Sequence, residues 1–172
     1  MAAHDTIWTI GYEAAGFGAF LDVLRRAGVR QVIDVRDLPL SRRAGFSKRV
    51  LAASLAEAGL AYAHLRHLGT PKEGRVAAHK GDYATFWSVF ERRLTSVESQ
   101  MELRQAADLA HQQPSALLCF EADPARCHRR RVAELLRDQF GFAVVDLMVD
   151  PLMAGAPSSA GTRARRPRSR GA

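Results

Sequence analysis

Five short apolar segments recur along the first 150 residues and have the length and composition of buried strands. Each is continuous in apolar residues or rich in β-branched side chains, which is typical of strands covered on both faces. The segments are Ile7–Ile10, Val32–Val35, Ala61–Leu65, Ala116–Phe120 and Ala143–Leu147, and Ala61–Leu65 is the weakest of them. The pattern therefore predicts five strands.

Helical periodicity separates these segments. Phe17, Phe20, Leu21 and Leu24 fall at positions i, i+3, i+4 and i+7, and Gly28 follows as a C-terminal stop. Further helices are predicted over Lys48–Ala58, over Asp82–Leu94, from a capping box at Thr95–Glu98 towards Ala110, and after Asp123-Pro124 with Asp123 as N-cap. Residues 66–83 lack such periodicity and are interpreted as a loop.

Strands that alternate with helices are typical of an α/β protein with a parallel sheet. We predict a three-layer α/β sandwich, with a mostly parallel sheet of about five strands and helices on both faces. Its crossovers are expected to be right-handed, but the strand order does not follow from one sequence. In open sheets of this kind ligands bind beyond the carboxyl ends of the strands, so the residues that follow the strands are candidate site residues.

The positive charge is concentrated at the end of the chain. The 172 residues have a formal net charge of +7, and residues 151–172 carry five arginines and no acid, so the rest is only mildly basic. We predict one domain over residues 1–152 and a disordered basic tail over 153–172, because the tail is too poor in apolar side chains to offset its ordering entropy. Such a tail either contacts nucleic acid and acidic surfaces non-specifically or stays solvated.

Hydropathy and cysteine content indicate a soluble intracellular protein. No run of about 18 apolar residues is present, so no membrane-spanning helix is expected. The first residues lack the basic start and apolar core of a secretory signal. Two cysteines are too few for a disulfide framework. We therefore expect a cytoplasmic protein without membrane association, with both thiols reduced and an oligomeric state that the sequence does not determine.

Polar residues follow the predicted strands and therefore share one edge of the sheet. They are Tyr12 and Glu13 after the first strand, Asp34 and Arg36 at the end of the second, His64 near the end of the third, Glu121 after the fourth and Asp146 near the end of the fifth. A buried carboxylate with a raised pKa serves as a general acid or base, which makes Asp34 and Glu121 catalytic candidates. Asp34 and Arg36 also share one face of an extended segment, so an orienting ion pair is the alternative.

Two long polar segments lie at the same edge. Arg36–Lys48 carries four cations and one acid, and Arg66–Tyr83 carries four cations and two acids. Long irregular segments inside a compact domain are often lids or binding loops. Their basic excess favours an anionic ligand, such as a phosphate group or nucleic acid, although simple solvation of both segments is the alternative.

The triplet Cys127-His128-Arg129 lies at the predicted start of the last helix. Free N–H groups and the helix dipole attract anions there, and a cysteine beside arginine and histidine is expected to be partly thiolate, which suits nucleophilic catalysis. The spacing of a phosphatase-type loop is absent, since Ala133 stands where that loop has arginine. Cys127 is therefore a candidate nucleophile without a matching motif.

Helical geometry is expected to separate these side chains. His128 falls on the apolar stripe and should point towards the strand ends or the core, whereas Cys127 should point about 140° away from it. Arg129 borders the stripe, and the next two arginines should face solvent. Adjacent helical residues diverge, Cys119 lies in a strand and no C-x-x-C pair exists, so we predict no metal site and no cofactor.

Four motifs in this order resemble those of domain-of-unknown-function family 488. They are Thr9–Glu13, Asp34–Lys48, Tyr62–Gly69 and Leu117–Arg129, and the resemblance spans about residues 7–148. Thr70 departs from the family pattern, which usually has glycine there, so the start of that loop is expected to differ. The resemblance implies an α/β fold and a soluble, bacterial-type protein, but no established reaction. Its motif residues here are Tyr12, Asp34, Arg36, Pro39, Ser41, His64, Cys127, His128 and Arg129.

The polar edge supports two functional hypotheses. The first is an enzyme acting on a phosphate-bearing metabolite, a nucleotide or a nucleic-acid segment. Its predicted substrate-binding residues are Tyr12, Arg36, Ser41, His64 and Arg129, and its predicted catalytic residues are Asp34, Glu121, His128 and Cys127. The second is a non-catalytic nucleic-acid-binding module that uses the basic loops and the arginine-rich tail. The mild charge of the folded part and the lack of an interleaved aromatic platform count against it.

Overall fold

The computed structural model describes residues 4–150, in which one sheet is flanked by helices. The strands are β1 (Thr6–Gly11), β2 (Gln31–Asp34), β3 (Ala61–His64), β4 (Ser115–Cys119) and β5 (Ala143–Leu147). The helices are α1 (Phe17–Arg26), α2 (Lys48–Glu57), α3 (Lys72–His79), α4 (Tyr83–Leu94), α5 (Val97–Gln112) and α6 (His128–Phe140). All five predicted strands are confirmed, each within one or two residues of its predicted ends.

The five strands are all parallel and lie in the order β3-β2-β4-β1-β5. The central strand, β4, pairs with β1 from Ser115 to Cys119 and with β2 from Ser115 to Leu118. Every residue of β4 is buried, as its uninterrupted apolar sequence requires. The predicted α/β fold with a parallel sheet is therefore confirmed.

Helices cover both faces of the sheet and enclose two cores. The first core joins α1 and α2 to the sheet and includes Phe20, Leu24, Leu51, Leu55, Ile10, Val32 and Leu118. The second core joins α4, α5 and α6 to the opposite face and includes Phe90, Leu103, Ala106, Val132, Leu136, Ile7, Ile33 and Leu117. Residues that alternate along each strand thus contribute to different cores, which gives the predicted three layers.

The strand order fixes where a ligand can enter. The connections from β1 to β2 and from β2 to β3 run towards one edge of the sheet, and their helices lie on one face. The later connections run the other way with helices on the opposite face, as right-handed crossovers require. The direction reverses at β4, so the helices after β4 and after its neighbours leave on opposite faces. Ligand sites of doubly wound sheets lie in the crevice that this reversal opens.

Two helical predictions need correction. The segment interpreted as a loop after β3 contains α3, whose weak apolar pattern is explained by its contact residues: the buried Gly74 and Ala77 are too small to give a hydrophobic stripe. The last helix begins at His128, because Asp123 caps only a separate 3-10 turn at Pro124–Arg126. Four residues, 124–127, thus separate the predicted N-cap Asp123 from the helix that it was expected to start.

Gly69 is required by a close backbone approach, which gives a test of this packing. A Cβ at Gly69 would lie 2.0 Å from the backbone nitrogen of Asp37, just past β2. We expect Gly69→Ala to lower the free energy of unfolding by about 1–3 kcal/mol, because the backbone must shift to admit the methyl group. Chemical denaturation measures this. Gly18→Ala is the control, since a Cβ there meets nothing within 4 Å and helix α1 should gain slightly. Equal stabilities of the two variants would contradict the packing described.

Two predictions concern residues at the margins of the described chain. The basic tail predicted over 153–172, and with it the domain boundary at residue 152, lies outside the described residues and stays a prediction. Within residues 4–150, no helix is long and apolar enough to cross a membrane.

Candidate functional site

A pocket of about 650 Å³ opens at the reversal point, beyond the carboxyl ends of β1, β2 and β4. Its wall is made by the segment after β2, by α3 and by the start of α4, and its floor by the end of β4 and the start of α6. The polar and charged lining residues include Tyr12, Arg36, Asp37, Ser41, Arg42, Arg43, Thr70, Arg75, His79, Cys119, Glu121, Arg126 and His128. Both long polar segments of the sequence therefore face the same cavity.

The floor of the pocket brings together two thiols, an imidazole and a carboxylate. One ligand atom from each of Cys119, Glu121, Cys127 and His128 lies within 4.8 Å of the others, and we call these four residues the floor cluster. The Cys119 thiol donates to Glu121 Oε2 at 3.3 Å and lies 3.6 Å from His128 Nδ1. Cys119 and His128 are almost fully buried, and Cys127 is fully buried.

The expectation that Cys127 and His128 point apart is wrong, because it assumed that both residues are helical. Cys127 is the N-cap of α6 and has extended backbone angles, φ −122° and ψ 141°. Its thiol accepts a hydrogen bond from the Arg129 N–H at 3.5 Å and turns inward. The two neighbouring side chains therefore converge. The predicted absence of a metal site had assumed that they diverge.

His128 has a defined orientation at the pocket floor. Its Nε2 lies 2.9 Å from the carbonyl oxygen of Val35, and a carbonyl only accepts, so Nε2 carries the proton. The ring also packs against Phe90, with centroids 5.2 Å apart. The Cys119 sulfur lies close to both ring nitrogens, 3.6 Å from Nδ1 and 3.7 Å from Nε2. The predicted inward direction of His128 is observed.

The buried floor changes the proton affinity of its four members. Burial, followed by the negative charge of Cys127, raises the pKa of Glu121 to about 7. Burial and the hydrogen bond to Cys127 raise the pKa of Cys119. Burial alone would raise the pKa of Cys127, but the hydrogen bond from Cys119 and the charges of His128 and Arg129 outweigh it and lower that pKa. The pKa of His128 is raised, since Cys127 and Glu121 outweigh its burial. The cluster therefore favours negative charge on Cys127.

Asp34 and Arg36 form a buried ion pair beside the pocket. Asp34 is fully buried and accepts from Arg36 Nε at 2.8 Å, from Arg36 Nη2 at 2.6 Å and from the Tyr62 hydroxyl at 2.7 Å. Arg36 also donates to the Tyr12 hydroxyl and to the Phe46 carbonyl. Burial would lower the pKa of Arg36, but its hydrogen bonds and attraction to Asp34 raise it. These contacts match the orienting ion pair that the sequence left open as the alternative.

Arg129 is fully buried and holds the loop after β4. Its guanidinium donates to the carbonyl oxygens of Glu121 and Ala122 and to the Thr9 hydroxyl. These contacts place Glu121 at the pocket, but the guanidinium itself is not part of the pocket lining. The geometry thus gives Arg129 a positioning role in place of the predicted contact with an anion.

Three other predicted substrate-binding residues support the pocket wall to different degrees. Tyr12 lines the pocket, stacks on Phe46 at 4.2 Å between ring centroids and accepts from Arg36. Ser41 lines it as well, and its hydroxyl accepts from the backbone N–H of Arg43. His64 is bonded to the Arg36 carbonyl and to Lys48 Nζ and does not line the pocket.

The wall opposite the floor carries more cations than acids. Asp37 forms ion pairs with Arg75 at 2.5 Å, Arg66 at 3.1 Å and Arg93 at 3.4 Å, so three guanidiniums share one carboxylate. Burial would raise the pKa of Asp37, but hydrogen bonds from Arg75 and Arg66 lower it. Arg42 is exposed and lines the same cavity. Of the three arginines that share Asp37 only Arg75 lines the pocket, and with Arg42 and Arg43 it gives this wall more guanidiniums than carboxylates.

Thr70 is a candidate residue that the sequence signalled only as a departure from a motif. Its hydroxyl is buried and has no hydrogen-bond partner among the described residues, although Thr70 lines the pocket. The Thr70 carbonyl accepts from Arg75 Nη1 at 2.8 Å, so Thr70 is in direct contact with an arginine of the cationic wall. An unpaired buried hydroxyl costs about 1–3 kcal/mol, and a bound polar group removes that cost.

These features define a doubly wound parallel α/β protein with a thiol, imidazole and carboxylate cluster at the carboxyl edge of its sheet. Residues 17–136, more than half of the chain, match the family model Domain of unknown function DUF488, and the protein belongs to this family. The motif Thr9–Glu13 and the residues after 136 lie outside the matched segment. No curated protein and no solved structure matches the chain.

Proposed function

We propose that this protein is an enzyme that binds a small anionic substrate, such as a phosphate-bearing metabolite or a nucleotide, in the pocket at the carboxyl edge of its sheet. The observation that carries the proposal is that guanidiniums and a cluster of reactive side chains face one cavity. Anion-binding residues alone would suit a simple carrier. Reactive groups placed across the cavity from them favour catalysis on the bound molecule.

The anionic part of the substrate would lie against the cationic wall. Arg75 and Arg42 supply guanidinium donors there, and the Thr70 hydroxyl supplies a donor whose present lack of a partner a phosphate oxygen would correct. Arg43 is anchored by two donors to the Ala15 carbonyl, which fixes the loop that carries Arg42. Electrostatic attraction and one specific hydrogen bond would thus act together.

The reacting part of the substrate would face the floor cluster. Cys119, Glu121 and His128 line the pocket and present lone pairs to it, and Arg129 fixes the backbone of Glu121. Of the predicted catalytic residues, Glu121 and His128 keep that role in the proposal. Cys127 does not line the pocket, and its role is to change the proton affinity of Glu121 and His128. Asp34, which lies outside the pocket lining, orients Arg36 and Tyr62.

The shape of the site favours a small ligand over nucleic acid. A cavity of about 650 Å³ has the size typical of metabolite sites, whereas nucleic-acid binding relies on an extended basic surface. A cytoplasmic location fits the proposal, because a reducing compartment keeps Cys119 and Cys127 as thiols. Binding of polynucleotides without metabolite binding would favour the alternative module.

Thr70→Val tests the substrate-binding wall, because it removes the hydroxyl and keeps the shape. We expect the melting temperature to stay equal or rise, since the variant no longer buries an unpaired polar group. In a thermal-shift screen with phosphate-bearing metabolites, the affinity for any ligand that stabilises the wild type should fall about tenfold, as one lost hydrogen bond implies. Unchanged affinity would remove Thr70 from the site.

Arg42→Gln tests the electrostatic part of the same wall. We expect a fall in affinity for the same ligands of about threefold to tenfold at low salt and a smaller one at high salt, because an exposed guanidinium is screened. Arg104→Gln on α5 is the control, since it removes an exposed arginine that does not line the pocket. If both variants weakened binding equally, the charge of the whole protein rather than this wall would be responsible.

A further inference from the structure

We infer that the floor cluster is a binding site for one divalent transition-metal ion of zinc-like chemistry, with Cys119, Cys127, His128 and Glu121 as its four ligands. Four candidate ligand atoms lie within 4.8 Å of one another, as the ligands of a single ion must. Two sulfurs and one imidazole nitrogen are ligands that Zn²⁺ and its neighbours prefer over Ca²⁺ or Mg²⁺. The inference concerns the ion alone and does not need the proposed substrate; with the ion bound, Glu121 and His128 would serve as its ligands rather than as a free acid and base.

The distances inside the cluster fit a tetrahedral site. Metal–ligand bonds of about 2.0–2.3 Å at tetrahedral angles place neighbouring ligand atoms about 3.3–3.8 Å apart. The Cys119 sulfur lies 3.6 Å from His128 Nδ1 and 3.3 Å from Glu121 Oε2. The side chains therefore need only small movements to coordinate an ion between them.

The imidazole is held as a metal-bound imidazole is held. His128 Nε2 donates to the Val35 carbonyl, so Nδ1 is the ring nitrogen that remains to coordinate an ion, and it lies 3.6 Å from the Cys119 sulfur. Ligand histidines nearly always donate their second ring N–H to a carbonyl or carboxylate, because that bond fixes the tautomer and the ring orientation. The bond to Val35 therefore holds the ring with Nδ1 available among the other three candidate ligand atoms.

The buried positive charge of Arg129 next to the floor cluster also supports a bound ion. Arg129 is fully buried, and no carboxylate of residues 4–150 forms an ion pair with it; Asp146 is reached only through the Thr9 hydroxyl. An unpaired buried guanidinium is costly, so a negative group is expected nearby. A divalent ion with two thiolates, one carboxylate and a neutral imidazole carries one net negative charge beside Arg129. Any proton still held by the two sulfurs, by Nδ1 of His128 or by the Glu121 carboxyl leaves to solvent as the metal–ligand bonds form, without electron transfer.

The test is titration of the reduced, chelator-treated full chain with Co²⁺ in the absence of any substrate. We expect one Co²⁺ ion per chain, with a thiolate-to-cobalt charge-transfer absorption in the near ultraviolet and tetrahedral d–d bands in the visible. Added Zn²⁺ should displace the Co²⁺ and abolish both absorptions. Cys119→Ser, His128→Asn and Glu121→Gln should each weaken Co²⁺ binding at least tenfold. His79→Asn, an exposed histidine in the same pocket, should bind Co²⁺ as the wild type does.

Each other outcome counts against the site. Absence of the charge-transfer band, or a Co²⁺ affinity that Cys119→Ser and Glu121→Gln leave unchanged, would overturn it. A disulfide between Cys119 and Cys127 in freshly purified protein, together with failure of the reduced protein to bind Co²⁺, would show a redox pair instead. Should a substituted chain fail to fold, native mass spectrometry of wild-type protein with Zn²⁺ still decides the stoichiometry. Thr70→Val and Arg42→Gln should keep full Co²⁺ binding while losing anion affinity, so failure of this site and failure of the proposed function remain distinguishable.

Discussion

Substitution of Asp34 by asparagine is expected to lower the free energy of unfolding by about 3–5 kcal/mol, the usual cost of removing one partner of a buried ion pair. Asp34 is fully buried and accepts from the Arg36 guanidinium twice, from the Arg36 backbone and from Tyr62. Asparagine has one acceptor oxygen and turns an NH₂ group towards these donors. The Arg36 charge then stays buried without a counter-ion. Urea denaturation followed by circular dichroism measures the loss.

Asp138→Asn is the matched control for this prediction. Asp138 pairs with Arg137 at the surface, where both side chains are about half exposed, so its loss should cost well below 1 kcal/mol. A small loss for Asp34→Asn, similar to that of the control, would contradict the buried ion pair. It would also return Asp34 to the list of candidate catalytic residues.

Substitution of Arg129 by glutamine is expected to lower the free energy of unfolding by about 3–5 kcal/mol, because each buried acceptor that loses its donor costs about 1–3 kcal/mol, and to displace the loop that carries Glu121. Arg129 donates to the carbonyls of Glu121 and Ala122 and to Thr9, and glutamine is too short to reach all three. Two carbonyl oxygens then lose a buried donor. Denaturation measures the stability, and backbone amide shifts of residues 119–123 measure the displacement.

Arg130→Gln makes the same chemical change one residue later. Arg130 is exposed and pairs with Glu134 one turn along α6, an interaction worth about 0.3–0.5 kcal/mol. We therefore expect a difference of several kcal/mol between two adjacent arginines. Equal effects would mean that Arg129 does not hold the loop as the structure shows.

Much of the fold follows from patterns that are local in sequence. The continuous apolar run of β4 requires burial on both faces, and the observed central position of this strand satisfies that requirement. The helix α3 was missed because it packs on α4 through Gly74 and Ala77, and such small residues carry little hydrophobic signal. The strand order, and with it the reversal at β4, depends on pairings between distant segments and could not be predicted from the sequence.

For the candidate site, too, the sequence predicts the location but not the arrangement of the side chains. The carboxyl edge of the sheet and most of its polar residues were predictable, since parallel strands end together. The convergence of Cys127 with His128 was not predictable, because the helix begins at His128 rather than at the predicted Pro124, so Cys127 has an extended backbone and its side chain points in another direction. The shared use of Asp37 by three arginines joins residues up to 56 positions apart, which no local pattern records.

The central claim is that one pocket holds both the anion-binding wall and the reactive floor. Amide chemical shifts of ¹⁵N-labelled wild-type protein, recorded with a phosphate-bearing ligand from the thermal-shift screen, test it most directly. The account predicts saturable perturbations at Thr70 and Arg42 on the wall together with Cys119 and Glu121 on the floor. Perturbations confined to residues outside this pocket, or the absence of any saturable change across the ligands screened, would contradict it.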